Sequence, residues 1–384
     1  MVVHARHDHS FRIPRPDLTR KIGTRNACTA CHADHPLQWS IDAALKWWGP
    51  KKPAEPHYGE VLHLGRQALA GAVPALMSLL DDVTKPAIVR GTAASLLQGA
   101  SAPGLEAALA RALQNVDPWI RLGAVGGTRA MAEPVRVRLL ASLLTDPIRL
   151  VRLEAGRALA TVPREYFTPD QLEARDRAVD EWRLAQLVDA DRAEAHLNLG
   201  ALDAELGRLQ DAEREYTIAA RVNPRFPGTY VNLADLYRQE KREDHAEQAL
   251  RRGIEMAPGN ADLPHAMGLL LVRRKQVAEA LPFLEKAVAL APDVPRYPYV
   301  YAVALNSAGQ GAKALEALRR AHERFPGDAD ILLALVTYNR DAGQLPDALD
   351  YARALVALAP GDPGARRLLR ELQAQASRLG PRER

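Results

Sequence analysis

A ruler of 34 residues, laid along the chain from residue 193, fits to the end without an insertion, and nothing else in the sequence restricts the fold so tightly. Ala212, Ala246, Ala280, Ala314 and Ala348 fall at one phase, and Pro224, Pro258, Pro292, Pro326 and Pro360 at another. Between them stand Leu199-Gly200, Leu233-Ala234, Met267-Gly268 and Tyr301-Ala302, a large-small pair on the first helix of each period. The small residue lets two helices of a hairpin approach closely, and the proline ends the second helix and starts the next turn. One period upstream, Ala178 and Trp182 occupy second-helix positions, so residues 173–188 read as a half repeat that begins the stack. Residues 363–377 read as its closing cap helix.

A second ruler lies upstream. Val89-Arg90-x-x-Ala93, Ile120-Arg121-x-x-Ala124 and Val151-Arg152-x-x-Ala155 recur every 31 residues, the last two shortly after Asp117-Pro118 and Asp146-Pro147. Asp-Pro caps and starts a helix. The bland alternative is an irregular helical linker of the same Ala/Leu content. With 47% hydrophobic and only 5% aromatic residues, the chain suits helices built from alanine and leucine.

The 34-residue pattern resembles tetratricopeptide repeats, five in register, and the 31-residue pattern resembles short HEAT-type repeats. Together they predict an all-α chain, an α-solenoid of HEAT-like and then tetratricopeptide helix pairs behind a short front segment. The expected divisions are residues 1–58, 59–165 and 166–384, the last able to fold without the front module. In the tetratricopeptide family, fixed positions on the first helices line an inner groove. Carried onto this chain they give Asp235, Arg238, His265, Arg273, Tyr299, Asn306, Arg340 and Asp341. Mixed charge with one aromatic suits a polar peptide or protein surface, and the Lys/Asn arrangement that clamps a terminal carboxylate is absent. Neither array gathers catalytic residues, so no catalytic group is assigned.

The front segment differs in composition. Seven of the eleven histidines precede residue 64, and the only two cysteines, Cys28 and Cys31, are followed by His32. Cys-x-x-Cys-His reads as a covalent attachment site for haem c: two thiols reach two vinyl groups, and the histidine ligates iron. The sixth ligand is expected from His9 first and His35 second, because methionines are poorly placed. Residues 9–17, with Pro14 and Pro16, are expected to be an extended strap offering Arg12 and Arg15 to the propionates. Pro36 to Trp48 reads as one helix stopped by Gly49, and at least two of Trp39, Trp47 and Trp48 are expected to pack in a core. Zinc held by Cys28, Cys31 and two of His7, His9, His32 and His35 is the competing reading. A dithiol redox pair is a third, though no strand-helix pattern precedes it.

The strings DHSFRIPRPDL and GTRNACTACH, followed by a helix ending KWWG, resemble the last haem segment of bacterial multihaem cytochromes c that continue into tetratricopeptide repeats. The resemblance implies electron transfer, redox proteins as partners through the groove, a periplasmic or otherwise extracytoplasmic location, and further haems upstream. It also makes the histidine of DHS, His9, an axial ligand. Because residues 1–10 carry no export signal, the expectation is that Met1 is not the biological start. The alternatives are a zinc-bearing or metal-free assembly scaffold and a subunit of a multihaem oxidoreductase. A general nucleic-acid binder is disfavoured: residues 1–58 hold nine Lys/Arg against five Asp/Glu, a surplus equal to the net +4 of the chain, so the repeats are balanced. No apolar run approaches the length of a membrane span.

Overall fold

The computed structural model describes residues 14–50, 56–67, 71–358 and 361–379, and the regular elements among them are all helical. His9 and Arg12 lie outside the described residues. The chain divides into two compact units, Met1–Ala185 and Gln186–Arg384.

The first unit opens with α1 (Pro16–Ile22), α2 (Ala27–Cys31) and α3 (Leu37–Trp48). Pro16 does not extend the strap; it occupies the first turn of α1, where a missing N–H costs nothing and its fixed φ suits a helix. The expected strap cannot therefore include Pro16 and Asp17, and residues 9–13 of it lie outside the described residues. The third helix spans the residues expected of it, with Pro36 at its cap and Gly49 at φ +74° as its stop. Leu18 of α1 and Ile41 and Ala44 of α3 are buried. Trp47 and Trp48 are exposed, at 63% and 41%, contrary to the expected packing. They continue the buried face of α3 by one turn, but α1 has only seven residues and is too short to cover a twelve-residue helix to its end.

After α4 (Tyr58–Arg66) come three helix pairs, α5 (Ala72–Asp81) with α6 (Ala87–Ser95), α7 (Leu105–Leu113) with α8 (Pro118–Gly127), and α9 (Glu133–Leu140) with α10 (Arg149–Leu159). The 31-residue ruler falls on the second helix of each pair, where Ala93, Ala124 and Ala155 are fully buried. Asp117 caps α8 by accepting from the Trp119 N–H at 2.8 Å, and Asp146 accepts from the Ile148 N–H at 2.8 Å. Helices α6 and α8 meet at Gly91 and Gly123: a Cβ on Gly123 would lie 1.9 Å from the Gly91 carbonyl oxygen, a distance only glycine avoids. One apolar core runs from Leu62 to Ala178. Ala174 and Ala178 belong to α11 (Pro169–Leu187), and the two compact units divide inside that helix.

The second unit holds five helix pairs: α12 (Ala193–Glu205) with α13 (Leu209–Val222), α14 (Pro227–Gln239) with α15 (Glu243–Met256), α16 (Asp262–Arg273) with α17 (Val277–Leu290), α18 (Arg296–Ser307) with α19 (Gly311–Arg324), and α20 (Ala329–Asp341) with α21 (Leu345–Leu358). The closing helix is α22 (Pro363–Leu379). All five ruler alanines are fully buried on the second helices. Each pair turns through a left-handed residue, Gly207, Lys241, Lys275, Gly309 or Gly343. The next N–H then closes onto a carbonyl five residues back, as from Arg208 to Asp203 at 2.8 Å and Gln310 to Leu305 at 2.9 Å. Among the described residues, no helix is long and apolar enough to cross a membrane.

Candidate functional site

A groove of about 280 Å³ lies between α14 and α16, with Leu250 of α15 in its lining and Arg296 at the start of α18 on its border. Val231, Ala234, Ala266 and Leu269 supply its apolar surface, and Asn232, Asp235, Asp262, His265, Arg273 and Arg296 its polar groups. These positions recur because the first helices stack in register: Gly228, Asp262 and Arg296 are one period apart, as are Asn232 and Ala266.

His265 is buried to 7% exposure, and neither ring nitrogen has a hydrogen-bond partner among the described residues. Its ring lies against Tyr297, centroids 4.7 Å apart. Burial, reinforced by the nearby Arg296 charge and opposed by Asp262, pushes its pKa down to about 4. The Tyr297 hydroxyl donates to Asp262. Burial and that hydrogen bond push the tyrosine pKa up to about 12, so the phenol stays a donor.

Of the eight expected groove residues, Asp235, His265 and Arg273 line this groove. Arg238 donates from Nε to Asp235 Oδ1 at 3.4 Å. Tyr299 packs half-buried on the core shared by α18, α19 and α20. Exposed Asn306 reaches the Tyr338 hydroxyl, and Arg340 pairs with the neighbouring Asp341 at 2.9 Å. Asn232, Asp262 and Arg296 were not among the expected residues. The 34-residue ruler would have reached Asp262 and Arg296 had the first turn of each first helix been counted as groove-lining, and Asn232 had the second turn been counted as well.

In the front segment Cys28 and Cys31 sit three residues apart on α2, on one face, as free thiols with Cys31 exposed. Asn26 starts this turn: its side chain accepts from the Thr29 N–H at 3.1 Å and donates to the Thr19 hydroxyl at 3.0 Å. His32 ends it, donating its backbone N–H to the Cys28 carbonyl at 2.9 Å. The rings of His32 and His35 both lie against Trp39, with centroids 4.8 and 4.4 Å away, the second stacked. Side-chain donor atoms of exposed His32, Asp34 and His35 lie within 4.8 Å of one another. Arg15 is held by Asp17, Nε to Oδ1 and Nη2 to Oδ2 both at 2.8 Å, which keeps the Asp17 carboxyl below its ordinary pKa.

Residues 172–350 match the family model described as tetratricopeptide repeat. That stretch is similar to a tetratricopeptide array. Over 128 residues it is 30% identical to the human Protein O-mannosyl-transferase TMTC3 and 29% identical to the mouse protein, in each case over 29% of this chain. It spans 14% of the length of these curated relatives. Similar solved structures include YrrB, described as a TPR protein with an unusual peptide-binding site, at 20% identity and TM-score 0.38, covering 50% of this chain and 96% of that one. Another is PilW, described as a widely conserved type IV pilus biogenesis factor, at 19% identity and TM-score 0.39, covering 50% of this chain and 94% of that one.

Proposed function

We propose that the protein is an assembly scaffold that docks a polar peptide or protein surface in the groove between α14 and α16, and that its front segment carries one haem c for electron transfer to or from that partner. Docking rests on one observation above the others: a buried imidazole with both nitrogens unpartnered lies in the lining of a groove of mixed charge. A buried polar group without a partner is costly, and a docked chain that supplies one removes that cost on binding. To test docking, a photo-crosslinking residue is placed at Val231 in the groove and, separately, at Glu255 on the exposed side of α15. A specific adduct from the first position alone is expected; equal or absent adducts would reject the groove.

The haem reading rests on the donor set. Two thiols one helical turn apart, with the next residue a histidine whose ring is exposed, fit a porphyrin held by two thioether bonds and one axial nitrogen. When bound, such a haem supplies one-electron transfer. Cys28 and Cys31 would hold it and His32 would ligate its iron, while Trp39 packs against the His32 and His35 rings. His35 and His9 are the candidates for the distal side, and Arg12 is a candidate for the propionates. Arg15 must leave Asp17 to join it. Thioether attachment belongs to exported chains, so this reading carries a periplasmic or other extracytoplasmic location and redox proteins as partners.

A metal ion without porphyrin is the second reading, favoured by the closeness of the His32, Asp34 and His35 donor atoms. Expression with a haem c maturation system separates the two. Haem that survives denaturation and vanishes in the Cys28→Ala, Cys31→Ala double variant supports the first reading. A colourless chain that takes up zinc supports the second and leaves the docking scaffold in place.

A further inference from the structure

We infer that the groove selects an acidic segment of an extended peptide, one carboxylate of which is taken by Arg296 and His265. The inference rests on the docking reading above and names the chemistry of the partner.

The polar groups of the groove are not equally committed. Asp235 is engaged by Arg238, and Asp262 accepts from Tyr297. Arg273 and Arg296 border the same groove, and neither has an ion pair or side-chain hydrogen bond among the described residues. Counting Arg238, three guanidinium groups meet two carboxylates here; the Tyr297 phenol leaves the Asp262 charge in place, and neither Arg273 nor Arg296 has a carboxylate of its own. What the groove lacks is negative charge, presented in a form that two planar donor forks can hold.

His265 decides between a free anion and a peptide. A neutral imidazole has one N–H to donate and one nitrogen to accept, and here both are buried without partners. A phosphate or other compact anion reaches one ring nitrogen at a time, because the two nitrogens point away from each other, and leaves the second orphaned. An acidic residue in a peptide answers both: its carboxylate takes the ring N–H and the Arg296 guanidinium, while a backbone N–H of the same segment donates to the other ring nitrogen. The methylenes of the acidic side chain and its neighbour lie on Val231, Ala266 and Leu269.

The second arginine sets a spacing. His265 and Arg273 are eight residues apart on α16, about 12 Å along a helix rising ~1.5 Å per residue. An extended peptide covers that distance in about four residues at ~3.3 Å each. The preferred segment therefore carries two acidic residues separated by three others, the second facing Arg273.

The test uses the full chain and fluorescent heptapeptides, acetylated and amidated so that no terminal carboxylate is present. Their second and sixth residues are both Glu, both Gln or both Lys. The Glu peptide is expected to bind about tenfold or more tightly than the Gln peptide, the scale of one charge-assisted hydrogen bond. Arg296→Gln and Arg273→Gln, both at exposed positions and checked for unchanged circular dichroism, should each remove most of that preference. Millimolar inorganic phosphate should not displace the peptide. Equal binding of the Glu and Gln peptides, preference for Lys, no binding at all, displacement by phosphate, or a preference that survives both arginine variants would overturn the inference. The Val231 crosslink judges docking separately: an adduct there without acidic preference sinks the inference and leaves the docking reading standing.

Discussion

Arg121 grips Asp146 through two parallel hydrogen bonds, Nε to Oδ2 at 2.8 Å and Nη2 to Oδ1 at 3.0 Å, with both side chains buried. The remaining Nη1 donates to the carbonyls of Asn115 and Val116, and Asp146 Oδ1 also accepts from the Ile148 N–H, so the pair is satisfied on every side. It ties α8 to the turn that starts α10. One period later Arg152 repeats the arrangement with Glu181 of α11, at 2.7 and 2.9 Å, and its Nη1 donates to the Asp146 carbonyl. Arg121 and Arg152 are therefore structural cross-links to the next element of the stack, whereas Arg90, the first arginine of the 31-residue series, donates to the Leu80 carbonyl at 2.8 Å within its own helix pair.

Arg121→Ala is expected to destabilise the first unit by about 3–5 kcal/mol, because it leaves a carboxylate buried without its cation. Arg121→Lys keeps the charge but loses the fork and should fall between. Arg111→Ala is the control: its pair with Asp81 at 2.9 Å is more than half exposed on both sides, and loss of such a pair costs under about 1 kcal/mol. Urea unfolding followed by far-ultraviolet circular dichroism measures all three, and a cost below that of the control for Arg121→Ala would refute the cross-link.

Lys241 and Lys275 offer a stabilising change. They adopt φ of +59° and +62° at the turn where the other three repeats place glycine. A side chain in the left-handed region costs about 1–2 kcal/mol, which glycine avoids at the expense of some unfolded-state entropy. Lys241→Gly and Lys275→Gly should each raise stability by roughly 0.5–1 kcal/mol, and Gly309→Ala at φ +75° should lower it by a similar amount. Thermal melts of the three variants suffice. A lower melting temperature for both lysine variants would show that the lysines make contacts worth more than the strain.

The parts of this fold that sequence makes legible are those that repeat. Ala212 and its four equivalents mark the closest approach of two helices, and steric demand at a fixed spacing leaves a residue type behind. Asp117 and Asp146 were legible for the same reason, since a cap needs a particular side chain at a particular place. The helix at Pro16 was not: proline is compatible with both an extended strap and a first helical turn, and only Gly23 at φ +69° six residues after Asp17 distinguishes them. Trp47 and Trp48 misled because burial depends on whether a neighbour is long enough to reach them. In the groove, His265 could be placed by its phase, but its lack of partners could not, because that depends on what Tyr297, Asp262 and Arg296 do around it.

Acid should weaken the second unit through His265. Its pKa is near 4 when folded against an ordinary 6.5, so between those values the unfolded chain binds the proton and the folded one does not. Stability is therefore lost as pH falls from about 6.5 towards 4, by at most about 3.5 kcal/mol. Arg296 strengthens this dependence and Asp262 weakens it. His265→Leu should flatten the stability profile over that window, measured by urea unfolding at several pH values. An unchanged slope would assign the acid sensitivity to carboxylates instead.

The polypeptide of residues 167–384 should fold cooperatively without the front module. The cores built around Tyr230 and Leu263, around Leu318 and Leu335, and around Ala348 and Leu372 are each assembled from helices of the second unit, and such stacks draw their stability from nearest neighbours. Its first helix is the exception. Ala174 and Ala178 of α11 belong to the core that continues back to Leu62, and Arg157 lies over the Trp182 ring at 5.6 Å. Without those partners the first turns of α11 present an uncovered face, and a helix lacking its packing partner is marginal in water. Hydrogen exchange should therefore find residues 169–182 unprotected, while α14 to α21 keep the protection they have in the full chain. Loss of protection throughout would mean that the repeats depend on the first unit for their fold.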